Sequence, residues 1–304
     1  MAFRNVAIIG LGLLGGSIGL AIRQYLPGVY TTGHDADPAT RARAAERGLV
    51  AQVYDDAADA VRDADLVIFC VPVGAMAAAA APIAGALKPG VLISDVGSSK
   101  QTVARALAEA LPGAAIIPAH PVAGTEHSGP DAGFAALFRK RWCIITPPAD
   151  ADPARLAALS AFWEALGAKV EVMTAEHHDL VLAVTSHLPH LIAYTIVGTA
   201  SDLEEVTRSE VIKYSAGGFR DFTRIAASDP TMWRDVFLSN RAAVLEMLDR
   251  FSGDLETLKT AIRENDGDTL FDQFTRTRAI RRSIIAEGQD DARPDFGRSD
   301  HTGG

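Results

Sequence analysis

The sequence predicts an α/β domain with a doubly wound parallel sheet, followed by an all-α domain. In residues 1 to about 145, short apolar runs alternate with longer helical stretches, which is the pattern of βαβ units on a parallel sheet. From residue 175 to about residue 287 no convincing strand appears, and long periodic stretches predict amphipathic helices. A chain of 304 residues also exceeds what one hydrophobic core usually serves, which favours two domains.

The strands of the first domain are predicted from apolar runs that suit burial on both faces of a sheet. A further run, residues 169–173, follows a helix-like segment that stops at Gly167, and it could extend the edge of the sheet. The six runs predicted to form one doubly wound sheet are residues 6–9, 29–32, 66–71, 91–94, 115–117 and 143–146.

The second domain is predicted from helical periodicity, most clearly in residues 233–248 and 255–263. The last segment is polar, rich in Gly and Asp and without periodicity, so it is expected to be a flexible tail. The predicted organisation is residues 1–173 for the α/β domain, 174–287 for the helical domain and 288–304 for the tail.

The composition limits the classes of function. A formal net charge of -9 argues against a general nucleic-acid binder, which needs a basic surface. The only two cysteines, Cys70 and Cys143, are expected to be buried thiols, which fits a reducing cytoplasm. No secretory leader is apparent and no uninterrupted apolar run approaches 18 residues, so neither secretion nor membrane insertion is expected.

The motif GLGLLG at residues 10–15 predicts a dinucleotide site. It directly follows an apolar strand, opens a helix, and has an acid 20 residues after Gly15. Gly10 permits the tight turn, Gly12 lets the backbone approach a pyrophosphate, and Gly15 lets helix and strand pack closely. Asp35 can accept both hydrogens of a ribose diol and would repel a 2′-phosphate, so NAD is favoured over NADP. The first domain is therefore predicted to be of Rossmann type, with further cofactor contacts from Leu13, Leu14, Val71, Pro72 and Ser98.

Two loops at the carboxyl ends of predicted strands carry candidate catalytic groups. One contains Ser98 and the other His120, whose side chain can donate or accept a proton near neutral pH. Because a nicotinamide ring lies at this edge of such a sheet, the pair suits proton transfer beside a hydride acceptor. The alternative is structural, with His120 capping a loop and Ser98 capping the next helix.

Four segments resemble the prephenate and arogenate dehydrogenase family of tyrosine biosynthesis. They are HPVAGTE at 120–126, SHLPH at 186–190, GGFRDFTR at 217–224 and DPTMW at 229–233. The resemblance spans roughly residues 4 to 285 and covers both predicted domains. It implies oxidation of the ring 4-hydroxyl of prephenate or arogenate with a nicotinamide cofactor and release of CO₂. It also implies a homodimer formed through the helical domain.

The residue types suit that reaction. His120 can take the hydroxyl proton while Ser98 holds the oxygen in line. Arg224 can grip a carboxylate in a bidentate manner, and the resemblance assigns it the ring carboxylate, with Asp221 placed to orient it. The resemblance further implies that His190 and Ser186 face the substrate side chain, that Trp233 walls the ring pocket and that Glu126 gates it. The expected substrate-binding residues are Arg224, His190, Ser186, Thr125, Glu126, Gly217, Asp221 and Trp233.

Three alternatives remain at this point. The histidines at 177, 178, 187 and 190 could hold zinc, but their spacing matches no common zinc pattern and no Cys accompanies them, so no metal is expected. His177 and His178 are instead interpreted as a solvated helix start. A β-hydroxyacid or imine reductase would share the architecture, although its Lys-Asn pattern is missing, and a catalytically silent NAD-binding protein would tolerate loss of the polar residues. The sequence does not choose between prephenate and arogenate.

Overall fold

The computed structural model describes residues 2–125, 127–202 and 217–286. The chain divides into two compact units, residues 1–247 and residues 248–304. The first unit contains two β-sheets. Its strands are β1 (Asn5–Ile9), β2 (Tyr30–His34), β3 (Gln52–Val53), β4 (Leu66–Phe69), β5 (Leu92–Asp95), β6 (Ala115–Ile116), β7 (Ala119–Pro121), β8 (Trp142–Ile145) and β9 (Lys169–Val172).

The larger sheet is parallel throughout, with the strand order β3-β2-β1-β4-β5-β6. The chain starts at the centre, at β1, moves to one edge and then crosses to the other side. Ile9 pairs with both His34 and Phe69, and Phe69 pairs with Asp95, so four carboxyl ends lie level with one another. In a doubly wound sheet this edge, where the strand order reverses, is the place where ligands bind.

The smaller sheet corrects the predicted strand set. Residues 143–146 were predicted to complete the main sheet, but β8 instead pairs with β7 in the antiparallel direction and with β9 in the parallel direction. The sixth strand of the main sheet is the two-residue β3. Such a short run carries too little hydrophobic pattern to be detected. The run at 169–173 likewise extends the small sheet rather than the edge of the large one.

The helices of the described residues cover both faces of the main sheet and then continue without strands. Helix α1 begins at Leu13, and Gly12 of the glycine motif is its N-cap. The helices are α1 (Leu13–Tyr25), α2 (Pro38–Glu46), α3 (Ala57–Val61), α4 (Met76–Ala80), α5 (Gln101–Ala110), α6 (Pro153–Ala165), α7 (Ala175–Leu182), α8 (Leu188–Ser201), α9 (Gly217–Thr223), α10 (Pro230–Ser239), α11 (Arg241–Glu264) and α12 (Gly267–Ala286).

Two hydrophobic clusters occupy the two faces of the main sheet. Alternate residues of β1 enter different clusters: Val6 and Ile8 pack with α1 and α6, whereas Ala7 and Ile9 pack with α4 and α5. The second cluster also contains Trp233, so α10 packs against the same face as the helices that follow β4 and β5. Burial on both faces confirms the predicted fold class, an α/β domain followed by helices.

A π-helical turn, Ala183–His187, joins α7 to α8. The resulting 27-residue stretch Ala175–Ser201 is long and apolar enough to cross a membrane by length and composition, with a mean hydropathy of 1.6 over its best window. Polar residues interrupt this stretch, among them the buried His178 and Asp179, so its sequence contains no continuous apolar run of that length.

Candidate active site

The loop between β1 and α1 has the geometry that a dinucleotide requires. Gly10 has a φ of 99°, and a Cβ there would lie 2.5 Å from the carbonyl oxygen of Cys70. A Cβ at Gly15 would lie 1.9 Å from the carbonyl oxygen of Gly10, so a larger residue would force helix and strand apart. At Gly12 nothing lies within 4 Å of the Cβ position, and no described side chain caps the helix. The N-terminus of α1 thus offers backbone N–H groups beside open space.

Asp35 follows β2 and connects that strand to the glycine loop. Its carboxylate accepts hydrogen bonds from the backbone N–H groups of Leu11 at 2.8 Å and Asp37 at 3.0 Å. Each carboxylate oxygen can accept more than one hydrogen bond, so Asp35 can still receive a diol. The nearby Arg41 already donates to the carbonyl oxygen of Asp35 at 2.8 Å and to the carboxylate of Asp55 at 3.0 Å.

The other predicted cofactor residues lie at the same edge of the sheet. Two occupy the first turn of α1, two follow β4, and one lies half-buried in the loop after β5. In that order they are Leu13, Leu14, Val71, Pro72 and Ser98.

His120 lies within β7 and only 8% of its surface is exposed. A buried ion pair holds the loop of Ser98 against this strand: the ammonium group of Lys100 contacts the carboxylate of Asp95 and donates to the carbonyl oxygen of Ala119 at 2.7 Å. The pair therefore anchors the residue immediately before His120. The structure thus brings the two predicted catalytic residues onto directly linked segments.

His178 is not at a solvated helix start, contrary to the interpretation of the sequence. Its side chain is fully buried, and its Nε2 lies 2.9 Å from Nδ1 of His120. Its other nitrogen, Nδ1, lies 2.9 Å from the carboxylate of Asp179. The prediction fails because α7 packs toward β7, so only His177 faces solvent. An adjacent His and Asp near a helix start carry no specific signal in the sequence, so this array could not be predicted from it.

Asp179 also joins α7 to the loop of Ser98. Its carboxylate accepts the backbone N–H groups of Lys100 at 2.7 Å and Gln101 at 3.0 Å, so it caps the N-terminus of α5. Capping by a carboxylate satisfies donors that the helix leaves free and interacts favourably with its dipole. The hydrogen bond from His178 and these backbone donors outweigh burial and lower the pKa of Asp179.

Trp233 and His190 form the next part of the site. Their rings stack with centroids 3.6 Å apart, and His187 meets the same indole edge-on at 6.0 Å. Nδ1 of His190 donates to the carbonyl oxygen of Ser186 at 2.8 Å, which leaves Nε2 for a ligand. Asn240 donates to Nδ1 of His187 at 3.1 Å.

Burial controls the protonation of these histidines, because desolvation disfavours the imidazolium ion. It lowers the pKa of His120 well below its usual value, with further lowering by His178, Lys100 and His187. Burial also lowers the pKa of His178, although the hydrogen bond to Asp179 opposes this effect. Burial lowers the pKa of His190 as well, and the charge of Arg224 contributes to that shift. At neutral pH each of these rings is neutral.

The remaining predicted substrate residues that the structure describes are exposed or half-buried. Arg224 is exposed in the turn that follows α9, close enough to influence His190 electrostatically. Asp221 lies 3.7 Å from Nε of Arg220. Gly217 and Thr125 are exposed, and Glu126 lies outside the described residues. Among residues 2–125, 127–202 and 217–286, no group of three or more His, Cys, Asp or Glu side chains could hold a metal ion.

Family models match nearly the whole chain. Residues 18–172 match the model for the prephenate dehydrogenase nucleotide-binding domain, and residues 174–276 match the prephenate dehydrogenase dimerization domain. A cyclohexadienyl dehydrogenase of Zymomonas mobilis is 47% identical over 282 residues, covering 93% of this chain and 96% of the relative. A Bacillus subtilis prephenate dehydrogenase is 33% identical, covering 91% and 75%.

Solved structures agree with these matches. The prephenate dehydrogenase of A. aeolicus in complex with hydroxyphenyl propionate and NAD⁺ superposes with a TM-score of 0.87 at 32% identity, covering 93% of this chain and 99% of that one. The arogenate dehydrogenase of Synechocystis gives a TM-score of 0.80 at 26% identity, covering 92% and 99%. The likeness therefore extends over both the strand-containing and the helical parts of the chain.

Proposed function

The chain belongs to the prephenate dehydrogenase family, and we propose that it catalyses the NAD-dependent oxidative decarboxylation of prephenate, arogenate or both in tyrosine biosynthesis. The resemblance deduced from the four sequence segments is confirmed by the family models. The assignment also displaces the alternatives of a β-hydroxyacid or imine reductase and of a silent NAD-binding protein. The observation that carries the proposal is the buried His120, linked through Lys100 to the loop of Ser98 at the dinucleotide edge of the sheet.

NAD is the cofactor that the glycine loop and Asp35 fit. Gly12 leaves space for a pyrophosphate, and the uncapped N-terminus of α1 supplies N–H donors to its oxygens. The carboxylate of Asp35 suits a ribose diol, and Arg41 is held by Asp55 rather than placed for a 2′-phosphate. Asp35→Ser should therefore narrow the preference for NAD over NADP, and an unchanged preference would mean that Asp35 does not contact the ribose.

The chemistry needs a base, an oxygen ligand and a carboxylate clamp. Bound NAD⁺ would supply the hydride acceptor for the carbon that carries the 4-hydroxyl. His120 takes the hydroxyl proton, and Ser98 holds the oxygen in line. The bond to the ring carboxylate then breaks, its electron pair completes the aromatic ring, and CO₂ leaves. Restored aromaticity makes this last step intrinsically downhill, so the protein mainly positions and polarises.

The helical residues supply the substrate pocket. Arg224 binds the ring carboxylate, because a guanidinium group can hold both carboxylate oxygens at once. His190 and Ser186 face the substrate side chain, and Trp233 supports His190 by stacking on it. Smaller contributions are assigned to Thr125, Glu126, Gly217 and Asp221.

The wider organisation follows from the same assignment. Residues 1–173 bind the cofactor, and residues 174–287 bind substrate and form a homodimer. Large apolar side chains exposed on α7 and α8, including Leu180 and Val197, fit a surface that a second copy covers. We therefore interpret the apolar stretch Ala175–Ser201 as an interface helix rather than a membrane span.

Free thiols at both cysteines agree with a cytoplasmic enzyme, and an acidic chain does not suit nucleic acid.

Steady-state kinetics test the proposal. The wild-type enzyme should reduce NAD⁺ with prephenate, arogenate or both, and competition between the two substrates gives their order of preference. His120→Asn should lower kcat by at least on the order of 10² while leaving NAD binding and the fold unchanged. His177→Asn, at an exposed neighbour of His178, is the matched control and should retain wild-type turnover. Near-normal turnover of His120→Asn would remove His120 from the mechanism.

A further inference from the structure

A continuous buried array leads from His120 away from the cofactor edge. Nδ1 of His120 lies 2.9 Å from Nε2 of His178, and Nδ1 of His178 lies 2.9 Å from the carboxylate of Asp179. The two imidazole rings meet edge to face, at an angle of 69° and a centroid distance of 5.1 Å. All three side chains are buried, so water does not compete for these hydrogen bonds.

The protonation pattern of the array follows from its far end. The carboxylate of Asp179 can only accept hydrogen bonds, so Nδ1 of His178 must carry hydrogen. In a neutral His178 the other nitrogen, Nε2, then presents a lone pair. Nδ1 of His120 must therefore be the donor in the contact between the two histidines. This leaves Nε2 of His120 without hydrogen, which is the form that can accept a proton.

We propose that His178 and Asp179 are positioning residues for the base: they hold His120 in its Nδ1–H tautomer and place a negative charge behind it. The proposal rests on the proposed function and assigns roles to two residues outside the predicted site. When Nε2 of His120 takes the hydroxyl proton, the ring becomes a cation with both nitrogens protonated. Its Nδ1–H still donates to His178, whose own Nδ1–H still donates to Asp179. No other proton or electron moves.

The same arrangement explains how a deeply buried histidine can act as a base. The ammonium group of Lys100 lies near His120 and disfavours an imidazolium ion there. The carboxylate of Asp95 forms an ion pair with Lys100. Asp179 is the carboxylate reached through hydrogen bonds from His120. This is the relation that a catalytic triad establishes between its histidine and its aspartate, with a second imidazole inserted between them.

Two substitutions separate positioning from mere support of the fold. His178→Phe keeps an aromatic ring of similar shape but removes the acceptor for His120. Asp179→Asn removes the negative charge but can keep an amide oxygen at the position of Oδ1, which accepts both Nδ1–H of His178 and the backbone N–H of Lys100. Each variant should lower kcat by about 10- to 1,000-fold, with the KM for the substrate and the Kd for NAD⁺ within about threefold of wild type.

Thr174→Ala is the matched control for stability. Thr174 is the N-cap of the same helix, α7, and its hydroxyl oxygen accepts the backbone N–H of His177 at 3.1 Å, whereas its contact with His178 is made by the backbone carbonyl that Ala retains. It should lower Tm but leave kcat unchanged. If His178→Phe and Asp179→Asn also lower Tm and leave kcat unchanged, the array is structural and the proposal is wrong.

Nuclear magnetic resonance provides a readout that does not depend on turnover. Two-bond ¹⁵N–¹H correlation spectra identify the tautomer of each of the 8 histidines, with His120→Asn and His178→Phe giving the assignments. Wild-type His120 should be the Nδ1–H tautomer, and Asp179→Asn should keep that tautomer while losing the charge behind it. An Nε2–H tautomer in the wild-type protein overturns the proposal even if a variant fails to fold. Absence of turnover with both substrates in a wild-type protein that has the expected tautomers would instead refute the proposed function.

Discussion

Acidification should destabilise the folded chain through His187. This side chain is fully buried, and its Nε2 has no hydrogen-bond partner among the described residues. Burial is the main cause that lowers its pKa from 6.5 to about 4, and repulsion from His178 and His190, once these are protonated in acid, adds to that effect. The folded protein therefore resists protonation at a pH where the unfolded chain accepts it.

The sign and size of the effect follow from proton linkage. Between pH 6.5 and 4 the unfolded state binds more protons at this position, so the free energy of unfolding falls as the pH falls. At about 1.4 kcal/mol for each pH unit, His187 accounts for about 3 kcal/mol in all, of which about 2 kcal/mol is lost by pH 5. His120 and His178, whose pKa values are also lowered, act in the same direction.

Urea unfolding between pH 7.5 and 5 measures this effect. His187→Gln keeps an acceptor for Asn240 but does not titrate, so its stability should fall with pH by about 2 kcal/mol less than that of the wild type. His177→Gln, on the exposed face of the same helical stretch, controls for the loss of a histidine. Equal pH dependence in the wild type and His187→Gln would refute the reasoning, because it would mean that His187 is not held neutral by burial.

Three further predictions test the anchors of the site. Lys100→Met should lower the free energy of unfolding by about 3–5 kcal/mol, because it leaves the buried carboxylate of Asp95 without its partner. Lys259→Met, at an exposed ion pair, should change the free energy of unfolding by less than about 1 kcal/mol, and chemical denaturation measures both values. Gly15→Ala should lower both stability and NAD affinity, because its Cβ would meet the carbonyl oxygen of Gly10. Gly12→Ala should lower only NAD affinity, since its Cβ position is open. Calorimetry measures the NAD affinity of each variant, and thermal melts measure its stability. Arg224→Gln should raise the KM for prephenate more than it lowers kcat, and an unchanged KM in steady-state assays would place the carboxylate clamp elsewhere.

The cofactor half of the site could be predicted from the sequence because its determinants are local. Gly10, Gly12 and Gly15 act through backbone conformation and close approach within one turn. Each role is visible in the order of strand, glycine and helix. The apolar runs that form the centre of the main sheet are similarly local, since burial on both faces requires continuous hydrophobic residues.

Residues that act across long sequence separations could not be placed in this way. Residues 143–146 read as a strand, but their partner is β7, the strand that carries His120, and no local pattern selects that pairing. His178 and Asp179 lie 58 and 79 residues from His120 and Lys100, the groups they contact. Their polar side chains predict a solvent-exposed helix start, whereas packing buries both of them in the folded chain.

The sequence by itself determined the fold class, the dinucleotide loop and the family resemblance, because these depend on periodicity and on motifs of contiguous residues. Only the tertiary structure decided which histidines are buried, which nitrogen of each faces a partner, and that a carboxylate lies behind His120. The physical reason is that burial and hydrogen-bond direction arise from the docking of α7 and α10 against the segments that follow the sheet.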